Sequence, residues 1–407
     1  MFGINKPHLK AGTSYFCAMK LLVVLPRFPY PLEKGDKLRA YNHIRFLSKK
    51  FEIILFALND RDVSVEHLSK LRPFCSSIHV FKISKISIIA NLFRALFSGI
   101  PFQAGYFYNM QAQKELDRII NNEKPDRIFC QLLRVAEYVK NKPIIKTIDY
   151  QDVFSKGIQR RIATAPFYMR PLFCMEYTRL MKYEAALFDV FDQKSIISAP
   201  DRDLIPHPEK DKIHIIPNGV DHGFFKPLEM QKHYEVVFTG NMGYPPNVNA
   251  ATFLVNEILP LVHRHKPEVR VMLAGATPAR QVQQLENDKV TVTGWVDDIR
   301  QCYAQARIFI APMQIGTGLQ NKLLEAMAMK IPCITSVLAN SALCATPEIE
   351  ILIGEKPEEY ASYIIRLLDE PDFANSIAEA GFEFVNRKYD WEKATLELAD
   401  IIALPGK

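Results

Sequence analysis

Short apolar runs recur along the chain between stretches of helical spacing: LLVVL from Leu21, EIILFAL from Glu52, IHVF from Ile78, DRIFC from Asp126, IIKTI from Ile144 and KSIIS from Lys194. Runs this short and this continuous fit strands covered on both faces, and strands alternating with helices predict a parallel sheet. After IHIIPNGVDHGFFKP, which starts at Ile213, the alternation begins again with EVVFTG from Glu235, RVMLAG from Arg270, VTVTG from Val290, RIFIAP from Arg307, PCITS from Pro332 and EILI from Glu350. The pattern therefore predicts an α/β fold of two doubly wound units, residues 1–205 and 206–387. The last stretch, 388–407, predicts a helix with Trp391, Leu396 and Ile401 or Ile402 on one face, packing at the boundary between them. Strands of both units end in Gly, Pro or Asn, where the backbone can turn sharply, so the cleft between the carboxyl ends of the two sheets is the expected site.

Length and composition agree: 407 residues with 48% apolar content suffice for two cores. The longest apolar runs, such as 86–93, fall well short of the roughly 20 residues a spanning helix needs. Lys20 interrupts the apolar part of the N-terminal stretch, so KLLVVLP reads as a first strand, and Met19 is an alternative first residue. The seven cysteines are scattered and show no CxxC spacing, which favours free thiols in a reducing cytosol over a disulfide framework or a zinc site. Charge changes the picture more. Residues 1–200 hold 31 Lys+Arg against 17 Asp+Glu, and the remainder 20 against 28. A basic half joined to an acidic half suits contact with an anionic membrane surface, and a solvated face balancing the partner unit accounts for it equally well. ISKISIIANLFRALFSGIPFQAGYFY, from Ile83 to Tyr108, interleaves basic residues with a broad apolar face and fits a membrane-surface helix or a core helix with snorkelling Lys85 and Arg94. The expected place of action is the cytoplasm, at the inner face of the plasma membrane, without a nucleic-acid partner.

Candidate chemistry concentrates in APMQIGTGLQNKLLEAMAMKIPCITS, residues 311–336. A strand runs into a loop with Gly316 and Gly318, and a helix follows. Asn321, Lys322 and Glu325 share its first turn, where N–H groups, the positive dipole end and a lysine suit a diphosphate. A carboxylate one turn further in, Glu325, suits the two hydroxyls of a ribose. A tight loop with a Lys322–Glu325 surface pair explains the same residues equally well. In the first unit, Gly35 and Asp36 sit in the loop after the first strand, and Asp149 and Asp152 follow the end of IIKTI. Gly35 allows close backbone approach, so that loop is the expected acceptor or phosphate loop, while Asp149 and Asp152 suit a sugar hydroxyl or positive charge developing at an anomeric carbon.

GTGLQNKLLEAMAMKIPCITS resembles the donor-binding signature of glycosyltransferase family 4, whose GT-B fold sets two Rossmann-like domains face to face. IIPNGVD at Ile215, VFTGNMGYPPNVNA at Val237 and VTGWVDDIRQCYAQARIFIAP at Val292 match the family in the same order. KGDK and the following arginine resemble an exopolysaccharide-associated branch, the PEP-CTERM-associated sugar transferases. The resemblance implies a retaining transferase acting on a nucleoside-diphosphate sugar and a glycan or polyprenyl-linked acceptor, with no cofactor and no bound metal. It implies donor contacts at Gly240, Asn241, Trp295, Val296, Gly316, Thr317, Gly318, Leu319, Asn321 and Glu325, with Lys322, Asp149 and Asp152 nearest the chemistry. Trp295 as a core aromatic is an equal reading.

Four positions depart from the family pattern. Thr317 stands where many members have a glutamate, Gln151 where many have a histidine, and Asn241 and Asn247 where an arginine and a lysine often hold the diphosphate. Lys322 is then the replacement cation. The first strand leads into RFPYPLEKGD and not GxGxxG, which disfavours a nicotinamide oxidoreductase. A glycoside hydrolase built on Asp149 and Asp152 leaves the diphosphate-like loops unexplained. A nucleotide-sugar 2-epimerase and a non-catalytic nucleotide-sugar binder remain open on the same architecture.

Overall fold

Seven parallel strands form the first sheet of the computed structural model, which describes residues 19–32, 34–316 and 318–406. They are β1 (Lys20–Leu25), β2 (Glu52–Asn59), β3 (Ser77–Lys82), β4 (Arg127–Gln131), β5 (Lys146–Asp149), β6 (Gln193–Ile196) and β7 (His214–Ile215). Their order is β3-β2-β1-β4-β5-β6-β7. The continuous apolar runs follow from this placement. Leu22, Val24, Ile54, Phe56 and Ile128 enter the core on one face, while Leu21, Val23, Ile53, Leu55 and Phe129 enter the core on the other.

The second sheet repeats the scheme with β8 (Tyr234–Thr239), β9 (Val271–Ala274), β10 (Val290–Val292), β11 (Ala306–Ala311), β12 (Cys333–Thr335) and β13 (Leu352–Ile353), in the order β10-β9-β8-β11-β12-β13. Every registered pair in both sheets is parallel, as in β1 with β2 and β8 with β11. Both orders reverse direction beside the first strand of the unit, the doubly wound, Rossmann-like arrangement, and that reversal opens a crevice at the strands' carboxyl ends. The two units together make the GT-B architecture.

The first unit does not end at residue 205. β7 pairs in parallel with β6 through Ser195–His214 and Ile196–Ile215, so the first sheet runs on to Ile215. Two residues are too few to show a period, and they lie inside a segment that reads as a linker.

The chain then crosses between the units twice. Going out, it passes Asn218–Val220; coming back, it passes Tyr389–Trp391 into the helix Trp391–Ala403. The two crossings touch: Val220 bridges Asp390 in parallel and its N–H donates to the Tyr389 carbonyl at 3.0 Å. A Cβ on Gly219 would lie 2.2 Å from the Trp391 nitrogen, so only glycine fits there.

The last helix buries Trp391, Ala394, Thr395, Leu398 and Ile402, and Leu398 and Ile402 join the core of the first unit with Leu21 and Ile44. Leu396 is only half-buried, because the buried face runs through Ala394, Thr395, Leu398 and Ala399. Under this helix His43 is fully buried, with Nδ1 3.0 Å from the Thr395 hydroxyl, and burial pushes its pKa down to about 3. Among the described residues the six cysteines are free, and no helix is long and apolar enough to cross a membrane.

Candidate active site in the interdomain cleft

On the second unit, β8, β9 and β10 each run into a glycine with positive φ: Gly240 at 151°, Gly275 at 140° and Gly294 at 68°. The strand ends approach so closely that a Cβ on Gly275 would lie 1.8 Å from the Gly240 carbonyl oxygen. At Gly240 a Cβ would meet Asn247 Nδ2 at 2.7 Å and Lys322 Nζ at 3.1 Å. The missing side chain therefore leaves Lys322 room beside the backbone. Asn241 braces the next turn, its Oδ1 accepting from the Gly243 N–H at 3.0 Å and from the Thr277 hydroxyl at 2.9 Å.

The helix Asn321–Ala328 is anchored by buried Leu323, Leu324, Ala326, Met327 and Ala328, and no side chain of its N-cap residue, Gln320, covers the first N–H groups. Lys322 donates to Asn247 Oδ1 at 2.5 Å and lies 4.6 Å above the centre of the Phe238 ring. Burial, only partly offset by Glu325, lowers its pKa to about 7. Glu325 accepts from the Tyr303 hydroxyl at 2.8 Å, and Tyr303 is itself 2.8 Å from the Thr239 hydroxyl. Burial raises the Glu325 pKa against the opposing pull of Tyr303 and Lys322. Each residue is thus held by a neighbour of its own, Lys322 by Asn247 and Glu325 by Tyr303, which corrects the reading of a surface Lys322–Glu325 pair.

The approaching loop has Gly316 at φ 126° and Gly318 at 76°, followed by buried Leu319, and Thr317 lies outside the described residues. Trp295 is 66% exposed, which corrects the core-aromatic reading, while Val296 packs half-buried against the second core. At the helix entrance the Asn321 Oδ1 accepts from Asn218 Nδ2 at 2.9 Å.

The first unit faces this loop with a different chemistry. Gly35 opens the helix Gly35–Leu47 with free space where a Cβ would stand. Asp36 accepts from Arg27 Nη1 at 2.7 Å, and its carbonyl accepts from Gln131 Nε2 at 3.0 Å.

Asp149 does not face the cleft, which corrects its assignment beside the chemistry. Its carboxylate is fully buried and takes both arms of Arg39, Nε at 2.7 Å and Nη2 at 2.9 Å, together with the Ser195 hydroxyl at 3.0 Å. Burial alone raises a carboxyl pKa, but the guanidinium and the hydroxyl outweigh it, so Asp149 is held ionised. Arg39 passes the link on to Asn218 Oδ1 at 2.9 Å, and Asn218 to Asn321. A buried chain of hydrogen bonds thereby ties the first sheet to the helix entrance of the second.

Asp152, three residues on, does reach the cleft. Its Oδ1 is buried without a hydrogen-bond partner, and burial with the nearby Asp201 raises its pKa to about 7. The intervening Gln151 has φ 63°, a left-handed conformation that costs energy in any residue but glycine. Asp152, Arg134, Arg160, Tyr244, Pro246 and Gly316 line one cleft of about 490 Å³ between the two units. Arg39, Asn218, Asn247, Tyr303 and Arg134 escape the sequence-based site. Asn218, Asn247 and Tyr303 lie inside segments that match the family and Arg39 is the arginine that follows KGDK, whereas nothing local marks Arg134.

A second sheet whose strand ends, glycine loop and uncapped helix converge on a lysine and a carboxylate is the C-terminal half of a GT-B glycosyltransferase. Consistent with this, residues 233–370 match the family described as Glycosyl transferases group 1, and the second unit is a group 1 glycosyltransferase domain. The chain is 22% identical over 396 residues, 92% of its length and 97% of the relative's, to an uncharacterized 44.6 kDa protein in the cps region of Klebsiella pneumoniae. Its fold is shared with the Anabaena protein Alr3699/HepE in complex with UDP and glucose, at 12% identity and TM-score 0.67, covering 95% of this chain and all of that one. It is shared likewise with WaaG, a glycosyltransferase involved in lipopolysaccharide biosynthesis, at 10% identity and TM-score 0.65, again over 95% of this chain and 100% of the other.

Proposed function

We propose that the protein is a retaining glycosyltransferase that moves a sugar from a nucleoside diphosphate to a glycan or lipid-linked acceptor at the cytoplasmic face of the membrane, in the synthesis of a surface polysaccharide. The pairing of Lys322 and Glu325 on the uncapped entrance of one helix carries this reading. Three positions apart on that helix, the cation suits a diphosphate and the carboxylate the hydroxyls of a ribose. The cps-region relative and the UDP complex of Alr3699/HepE support the pathway and the kind of donor.

In this reading the leaving diphosphate meets the helix N–H groups and Lys322, which takes up a proton as the charge arrives. The acceptor hydroxyl attacks from the face the diphosphate leaves, and its proton goes to the departing phosphate oxygen. Catalysis then rests on placement and on fixed charge, without a resident metal. Asp152, reaching across the cleft, accepts a hydrogen bond from a sugar hydroxyl. Glu325 binds the ribose, the Gly316–Leu319 loop with Thr317 surrounds the transferred sugar, and Trp295 and Val296 lie beside the base.

The test is binding and turnover of UDP-, GDP- and ADP-sugars by the purified protein in the presence of EDTA, with Glu325→Ala alongside. One nucleotide should stabilise the protein against heat, the variant should lose that affinity by about tenfold or more, and free nucleoside diphosphate should appear with acceptor. Conversion of the sugar without release of nucleotide would mean an isomerase, and binding without turnover a sensor.

A further inference from the structure

The basic first unit carries apolar surface that the cleft chemistry leaves unused. Of the fourteen residues of the helix Lys85–Ser98, only Ala95 is buried. Ile86, Ile89, Phe93 and Phe97 are between 67% and 82% exposed. At about 100° per residue these four fall in one stripe of about 80°, so the helix turns its apolar face to solvent, the reverse of an ordinary surface helix. Exposed Lys85 and Arg94 stand on either side of the stripe.

A second apolar point lies at the turn between the helices Phe154–Thr164 and Arg170–Val190, where Phe167 is 82% and Tyr168 69% exposed, next to exposed Arg170 and Leu172. The two points are held in one frame. Arg179, from the long helix, donates to the Ala95 carbonyl at 2.8 Å and the Leu96 carbonyl at 2.7 Å.

Between these elements runs a groove of about 260 Å³, with apolar walls from Leu92, Phe102, Tyr106, Ile158, Leu172 and Phe173. It shares Gln103, Ile158 and Arg161 with the active-site cleft, so the two cavities adjoin along a common wall.

We propose that this face docks on an anionic lipid bilayer, and that the groove carries the hydrocarbon chain of an amphiphilic, phosphate-bearing acceptor from the bilayer to the cleft. Large apolar side chains flanked by cations match the interfacial zone of a membrane, where the rings enter the acyl boundary and the basic groups meet lipid phosphates. The excess of 31 basic over 17 acidic residues in positions 1–200 adds attraction of the same sign. At the inner end, Arg134 and Arg160 line the cleft where a head-group phosphate arrives. The docking stands on the surface alone, whereas the acceptor's role rests on the transferase reading above.

The full chain should float with phosphatidylcholine vesicles containing phosphatidylglycerol and much less with phosphatidylcholine alone. The exposed double variant Phe93→Glu/Phe97→Glu should lose about tenfold or more of that binding while keeping its nucleotide affinity. Equal flotation of both proteins, or of neither, would overturn the docking face. For the groove, farnesyl monophosphate titrated into the protein should bind with an affinity that inorganic phosphate does not match, and Leu172→Trp, which fills the groove, should weaken it at least tenfold. An unchanged affinity in Leu172→Trp, or equal binding of the two probes, would overturn the groove. Nucleotide affinity measured on the same samples tests the transferase reading separately, so either idea can fail without the other.

Discussion

Both units place a carboxylate on the carboxyl-end side of a doubly wound sheet, Asp149 as the last residue of β5 and Glu325 in the helix after β11, and use them in opposite ways. In the first, Asp149 is consumed by Arg39 and Ser195, every oxygen occupied and no surface left. In the second, Glu325 is steadied from behind by Tyr303 and stays half-exposed, and Lys322 is steadied by Asn247 while burial weakens its hold on its proton. One carboxylate is structure, and the other is the one we propose for the ribose. A full complement of partners makes a charge permanent but chemically inert, whereas an incomplete one leaves a group that a substrate can complete.

The sharpest way to break this contrast is to remove the cation from each side. Arg39→Ala strands a fully buried carboxylate and should cost about 3–5 kcal/mol in urea unfolding. Lys322→Met takes away a charge already disfavoured by burial and should cost less than about 1 kcal/mol or stabilise, while weakening diphosphate binding. Equal losses in the two variants would end the distinction. Next in size, Gly240→Val puts atoms where Asn247 and Lys322 now stand, in a backbone conformation that suits glycine, and should lower nucleotide affinity by about tenfold or more. Isothermal titration with nucleoside diphosphate reads this directly.

The pH dependence sharpens the comparison further. Lys322 binds its proton less tightly in the folded protein, at about 7, than in the unfolded chain, so its unfavourable contribution is relieved as pH rises from about 7 towards 10.4. Asp152 binds its proton more tightly when folded, at about 7 against about 4, so its contribution to stability is lost as pH rises through that window. Asp152→Asn should flatten the fall in stability between pH 4 and 7, roughly its two pKa values, and Lys322→Met should abolish proton uptake on diphosphate binding at pH 8, about one unit above the folded value. The smallest effect belongs to Trp295→Ala. An exposed ring contributes little to the fold, within about 0.5 kcal/mol, but its loss should blur discrimination among uracil, guanine and adenine nucleotides.

The same contrast explains what could be read in advance. Gly316 to Glu325 span ten positions of sequence, so the helix entrance of the second unit is spelled out locally. On the other side, Arg39 reaches Asp149 across 110 positions and Asn218 across 179, and a charged residue on a buried helix face gives no hint of its partner. Asp149 and Asp152 look alike in sequence, and only the fold reveals that one looks inward and the other into the cleft. The strands were legible from their apolar runs except β7, whose two residues carry no pattern.

The paired crossings at Val220 and Asp390 have a mechanical meaning. Two bodies joined by a single tether can swing and swivel freely, but two tethers lying side by side resist swivelling and leave bending as the easy motion. With Gly219 pressed against Trp391, the strap here has almost no slack. Any opening of the cleft is therefore steered into bending along this strap, like a book along its spine, which keeps Asp152 and the Gly316 loop opposite one another.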